Sequence, residues 1–320
     1  MKDPTLDETQ ESTRPGEGSR MIGRIVGDLP GPTLVAVAGI HGNEPAGVFA
    51  AQRVLARLAE LGAPLSGEFA ALQGNMQALQ KGRRFLDRDL NRHWTVEGLE
   101  QLADRDKHET LTHEDREELD LARAIDGVLS DSRGGLFFID LHTTSSAGYP
   151  FAMIQNRVEQ RRFARNFPLP VILGLLDVVD GVLLKYMAEL GCTCFGIEGG
   201  QNDDERSIDH HEAALWIALV SAGLVDADDL PEFERSRALL IGSSTGLPHF
   251  MEVVHRHAIT LEDQFRMKPG YANIHLVQAG EVLARDCRGE IKAPWDGILF
   301  LPLYQGLGDD GFFLGREVDA

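Results

Sequence analysis

The run TLVAVAGI, residues 33–40, is apolar or glycine at every position after Thr33. A strand with one wet face alternates polar and apolar residues. A continuous run has no wet face and must be covered on both sides. The stretch that follows, PAGVFAAQRVLARLAELG, provides one such cover. Pro45 fits the first position of a helix and Gly62 its stop, while Val48, Val54, Leu55, Leu58 and Leu61 form an apolar face. EFAALQ, GGLFFIDLH and TCFGIE read as further strands, and HEDREELDLARAIDGVL and DHHEAALWIALVSAGL as further helices. Strands alternating with helices predict an α/β fold, a mainly parallel sheet with helices on both faces.

The pattern changes toward the C-terminus. Residues 225–237, VDADDLPEFERSR, read as a linker. Beyond them HFMEVVHRHAI, ANIHLVQAGEVLARD and APWDGILFLPLYQG are short strand-like pieces broken by Gly, Pro and Asp, which predicts a small C-terminal β domain. The opening stretch, residues 1–20, is polar and rich in helix breakers, and reads as a disordered leader. The expected division is therefore 1–20 leader, 21–228 catalytic α/β domain and 229–320 C-terminal β domain.

The formal net charge of -19 argues against nucleic acid and against anionic membrane surfaces, both of which call for clustered Lys and Arg. No apolar run approaches the roughly 18 residues that span a bilayer. Three cysteines, Cys192, Cys194 and Cys287, make no disulfide framework; with no apolar signal segment visible, the cytoplasm is expected. Cys192 and Cys194 read as small buried hydrophobes rather than a redox pair.

Three polar signals sit where predicted strands end: His41 after VAVAGI, His142 after FFIDL and Glu198 after CFGI. Ligands of open α/β sheets bind at the carboxyl ends of strands. A polar turn would account for His41 and Glu44 alone. His142 at a second strand end adds a third donor, and two histidines with one carboxylate hold zinc with a fourth position open for reaction. Asp140 shares a strand face with His142 and could orient it or pair with an arginine; a capping carboxylate at a strand end is the other reading. Glu198 closes an apolar strand, where a lone carboxylate is costly unless backbone amides or a water activated at a metal partner it. The segment RRFLDRDLNR gathers Arg83, Arg84, Arg88 and Arg92, cations whose planar forks suit a carboxylate. Arg83 and Arg88 read as a solvated charged loop. His210 and His211 read as surface at a helix start, and His93, His108 and His113 as charged surface. His255 and His257 share a strand face without a carboxylate.

Together HGNEPAG, RFLDRDLNR, FIDLHTT and FGIEGG resemble the succinylglutamate desuccinylase and aspartoacylase family of the zinc-carboxypeptidase clan. The resemblance runs from about residue 32 to 220 and more loosely beyond. It implies a zinc-carboxypeptidase-like sheet and one zinc per chain held by His41, Glu44 and His142, with Glu198 as general base and acid. It also implies Arg84 beside the scissile carbonyl, Asn91 and Arg92 on a substrate carboxylate, and Tyr304 closing over the substrate. A further substrate-binding arginine of aspartoacylase falls on Ala188 here, which points away from dianionic substrates. The expected activity is zinc-dependent hydrolysis of an N-acylated amino acid or similar small acyl amide carrying a carboxylate. The rivals are a zinc carboxypeptidase on short peptides and a metal-binding module without catalysis. Neither nucleic acid nor membrane is an expected partner, and a homo-oligomer is left open.

Overall fold

The structure is a computed structural model describing residues 14–305 and 308–319. Its strands are β1 (Met21–Val26), β2 (Leu29–Ala38), β3 (Ser66–Gln73), β4 (Leu136–Thr144), β5 (Phe151–Met153), β6 (Val171–Leu173) and β7 (Thr193–Gln201). They continue as β8 (Phe250–Ala258), β9 (Arg266–Met267), β10 (His275–Val277), β11 (Val282–Asp286), β12 (Gly289–Lys292), β13 (Gly297–Phe300) and β14 (Asp310–Glu317). The helices are α1 (Ala46–Leu61), α2 (Met76–Lys81), α3 (Val96–Arg105), α4 (His113–Leu129), α5 (Val158–Ala164), α6 (Leu175–Val178), α7 (Leu183–Glu189), α8 (Arg206–Ser221) and α9 (Glu232–Ser243). No helix among the described residues is long and apolar enough to cross a membrane.

Eleven strands form one sheet in the order β1-β3-β2-β4-β7-β5-β6-β8-β14-β13-β10, with a second sheet of β12-β11-β9. The continuous run of β2 is explained by its two faces. Leu34, Ala36 and Ala38 face a core shared with α1, α5, α8 and α9, whereas Val35 and Val37 face one shared with α4, α6 and α7. Helices thus cover both faces, as the sequence predicts. The sheet, however, is mixed rather than mainly parallel. Pairs β2·β3, β2·β4, β4·β7, β5·β6 and β6·β8 run parallel. The other neighbouring pairs, β1·β3, β5·β7, β8·β14, β13·β14 and β10·β13, run antiparallel. Two causes escaped the sequence reading. β5 and β6 are too short to show a pattern, and the C-terminal strands follow one another without crossover helices, which fixes antiparallel pairing.

The expected break near residue 228 does not interrupt the sheet. β8 pairs with β6, and Leu240 and Phe250 belong to the large core. The second half of the expected linker is the start of α9, with a short 3-10 turn at Ala227–Asp229 before it. A small separate core does gather side chains of β9, β10, β11, β13 and β14, including Met267, Val277, Leu283, Leu299 and Phe312. Of the expected leader, residues 1–13 lie outside the described residues. Arg14 to Arg20 run along the end of β3: Gly16 donates its amide to Gln73 at 2.6 Å, and Arg20 pairs with Glu117.

Candidate metal centre and its cavity

β2, β4 and β7 lie side by side and parallel, so their carboxyl ends open on the same edge. The chain leaves β2 through Gly39, whose φ of 70° suits a residue without Cβ; a Cβ there would come within 2.8 Å of Leu79. A turn closed by the Glu44 amide on the His41 carbonyl, 3.1 Å, aims both side chains inward before α1 begins behind Pro45. His142 and Glu198 are paired positions on β4 and β7. The expected set therefore meets: donor atoms of His41, Glu44 and His142 lie within 4.8 Å of one another, and all three residues are buried.

The hydrogen bonds decide which nitrogens face the centre. His41 turns Nδ1 to Glu44 at 3.0 Å and Nε2 to Asp89 at 3.1 Å. His142 repeats this, with Nδ1 at 3.2 Å from Glu44 and Nε2 at 3.0 Å from Asp140. With each Nε2–H donating to its aspartate, both Nδ1 lone pairs point at a carboxylate. Lone pairs facing an anion repel unless a cation lies between them, so this donor set fits a metal. Burial opposes charge on Glu44, but His41 and His142 hold its pKa well below the carboxylate range. His142 is likewise raised well above its usual value by Asp140 and Glu44 against the cost of burial.

Glu198 is 8% exposed, and its Oε2 is buried without a hydrogen-bond partner. Burial pushes its carboxyl up to about 8, with nearby His142 opposing. Arg84 donates to Asp89 through Nε at 3.1 Å and through a terminal nitrogen at 2.8 Å, with Glu44 3.5 Å away. Asn91 accepts from the Leu183 amide at 2.7 Å and brings Nδ2 to 3.4 Å from His142. Arg92 donates to the Asn91 carbonyl and lies 3.8 Å from Asp310. Glu198, Arg84, Asn91 and Arg92 line one cavity of about 160 Å³ together with His41, Glu44 and His142.

Several expectations are corrected here. Tyr304 does not line that cavity: its hydroxyl donates to the carbonyls of Lys268 and Tyr271 at 3.0 and 3.1 Å, while its neighbours Leu303 and Gln305 line it. His210 and His211 are buried, because they lie on the sheet-facing side of α8; His210 donates to the Gly199 carbonyl at 2.6 Å. Arg88 is no solvated charge but pairs with Asp115 and Glu118, both at 2.6 Å. Arg83 is exposed as expected. Lys185 pairs with Asp180 at 3.2 Å and is not among the cavity residues, and Ala188 is buried in the apolar core. The thiols of Cys192 and Cys194 are buried, and burial pushes Cys192 up to about 11.

Two supports were missed. Asp89 links His41 to Arg84, and nothing in DLNR marks it as different from a loop carboxylate. Glu114, fully buried on α4, accepts from the amides of Leu86, Asp87 and Arg88 at 2.7, 2.8 and 3.3 Å and from Asn75. It fixes the loop that carries Arg84, Asp89, Asn91 and Arg92. The signal for it in the sequence is the acidic first turn of that helix, which by itself marks only a helix start.

Residues 30–221 match the family model of the succinylglutamate desuccinylase/aspartoacylase catalytic domain. Over 200 residues the chain is 25% identical to a "Probable aspartoacylase" of Nostoc sp., covering 61% of this chain and 58% of that protein. Over 118 residues it is 30% identical to a succinylglutamate desuccinylase of Yersinia pestis, covering 37% of this chain and 33% of that one. The matches thus span well under two thirds of these relatives. A crystal structure of a succinylglutamate desuccinylase/aspartoacylase from Rhodobacter sphaeroides superposes with a TM-score of 0.66 at 18% identity, over 92% of this chain and 88% of that chain, a likeness of fold.

Proposed function

This chain belongs to the succinylglutamate desuccinylase/aspartoacylase family, and from that premise we propose that it is a zinc-dependent amidohydrolase releasing the acyl group of an N-acylated amino acid or similar small acyl amide. The observation that carries the reading is the buried, unpartnered Oε2 of Glu198 in the cavity shared with His41, Glu44, His142 and Arg84. One zinc held by His41, Glu44 and His142 would supply Lewis acidity, polarising the carbonyl and lowering the pKa of a water.

The rest falls to the chain's own groups. Glu198 takes a proton at Oε2 and returns it to the departing amine. A buried carboxylate with an unpartnered oxygen suits both halves of that task. Arg84, steered by two bonds from Asp89, faces the negative charge that develops on the carbonyl oxygen. Such a preset donor is typically worth about 3 to 4 kcal/mol. Arg92 and Asn91 hold the substrate's carboxylate, and the buried wall excludes bulk water. Free thiols at Cys192, Cys194 and Cys287 support a cytoplasmic location.

The test is a pair of variants. Glu198→Gln should keep one zinc per chain and lower kcat by at least about 100-fold, since an amide accepts no proton. His142→Ala should lose both the metal and activity. Elemental analysis beside turnover of N-acetyl amino acids and dipeptides reads both. Loss of zinc in the Glu198 variant, or faster cleavage of dipeptides by the unaltered chain, would replace this reading.

A further inference from the structure

The cavity has a second character that the proposed chemistry does not use. Beside the polar groups it is lined by Met153 at the end of β5, Leu175 of α6, Val179, Leu184 of α7, Leu303 and Phe313 of β14. Most of these side chains are buried members of the core that α6 and α7 build against the sheet. They would need no opening if they served packing alone. Gly196 leaves one. It stands two residues before Glu198 on β7, so both point to the same side of the sheet. A Cβ at Gly196 would lie 2.7 Å from Met153 Cγ and 3.1 Å from Leu184 Cδ2. The missing side chain lets Met153 and Leu184 settle against the sheet; a side chain there would drive them up into the cavity beside the proposed base.

Charge in the cavity points the same way. Its cations are Arg84 and Arg92, while Glu44, Asp140, Glu198, Asp309 and Asp310 also line it. Arg84 is engaged by Asp89, and Arg92 lies beside Asp310, which Arg256 also grips. Among the described residues lining it, none offers a free cation to a second carboxylate on a substrate. The cavity of about 160 Å³ must also take the amide and the carboxylate, which leaves room for a small apolar group only.

Resting on the amidohydrolase reading, we propose that the substrate carries, beside the carboxylate that Arg92 holds, a small uncharged aliphatic or aryl group, seated among Met153, Leu184, Leu303 and Phe313 over Gly196. The group belongs either to the acyl part or to the amino-acid side chain. Both present the same apolar chemistry, and the experiment separates them.

Calorimetry on the zinc-loaded full chain with acetate, isovalerate, 4-methylpentanoate, benzoate, decanoate and succinate tests the site without catalysis. Affinity should climb about fourfold per added methylene up to 4-methylpentanoate. Benzoate should bind at least tenfold tighter than acetate, and neither succinate nor decanoate should gain on it. Gly196→Ala should weaken benzoate at least fivefold more than acetate. Leu303→Asp, at a half-buried position that tolerates a charge in the fold, should do the same where the glycine variant misfolds. Turnover of N-acylglycines of growing acyl group, against N-acetyl derivatives of Ala, Leu, Phe and Asp, then assigns the group to one side of the amide. A flat affinity series, succinate equal to benzoate, or variants that leave the preference intact would overturn the proposal. Apolar carboxylates that bind while no amide is cleaved would sink the hydrolase reading and leave this site standing. Cleavage without an apolar preference would do the reverse.

Discussion

Glu198, Glu44, His41 and His142 were legible in the sequence because each interrupts or follows an apolar run, where a polar residue demands a reason. Their partners were not. Asp89 reaches His41 from 48 positions away through a loop whose path is set by Glu114. His211 shows the opposite failure. Its neighbours in the sequence suggest a polar helix start, yet it is fully buried, and a Cβ on Gly199 would lie 2.7 Å from its Nε2. Burial, with His210 adding to it, pushes the His211 pKa down to about 3. The unfolded chain, titrating near 6.5, binds a proton that the folded chain refuses between those values. The stability owed to a neutral His211 is therefore complete above pH 6.5 and is lost as pH falls toward 3, at up to about 1.4 kcal/mol per pH unit. Urea unfolding across pH 4 to 7 should show this slope, and His211→Met should flatten it relative to the parent chain. Equal slopes in the two proteins would mean that other groups set the acid limit.

At the level of elements, α4 does more than cover a sheet face. Its first turns send Glu114 and Glu118 to the 86–88 loop and Glu117 to the amides of Met76 and Gln77 at the start of α2. The helix was readable from its acidic first turn and apolar periodicity, and its Thr112 cap is present as a capping box. Its task was not readable, since side-chain to backbone bonds across 26 to 41 positions leave no local pattern. Glu114→Ala would leave three part-buried loop amides without their partner. We expect a loss of about 3 kcal/mol or more, seen as a lower urea midpoint at unchanged slope, with a raised KM because Asn91 and Arg92 lose their fixed approach. A loss below about 1 kcal/mol would mean that water reaches those amides.

Across the whole molecule, β2, β3, β4 and β7 with α1, α4 and α8 were legible, while the mixed hand of the sheet was not, for it depends on three-residue strands and on C-terminal strands that continue the same sheet. The charge of -19 acts at this scale too. It repels an anionic substrate over roughly 30 Å at 0.01 M salt but only about 8 Å at physiological salt. The kcat/KM for an anionic N-acyl substrate should therefore rise about twofold to fivefold between those conditions. A steep fall would mean that Arg84 and Arg92 rule the field at the mouth. Strand order has a consequence for biosynthesis as well. β7 slots between β4 and β5, which precede it in the chain. A nascent chain that has emerged only to residue 192 thus exposes two bare strand edges awaiting the same late arrival. Such edges invite pairing with other chains, so this interval of translation is where the growing polypeptide most needs a chaperone's shelter.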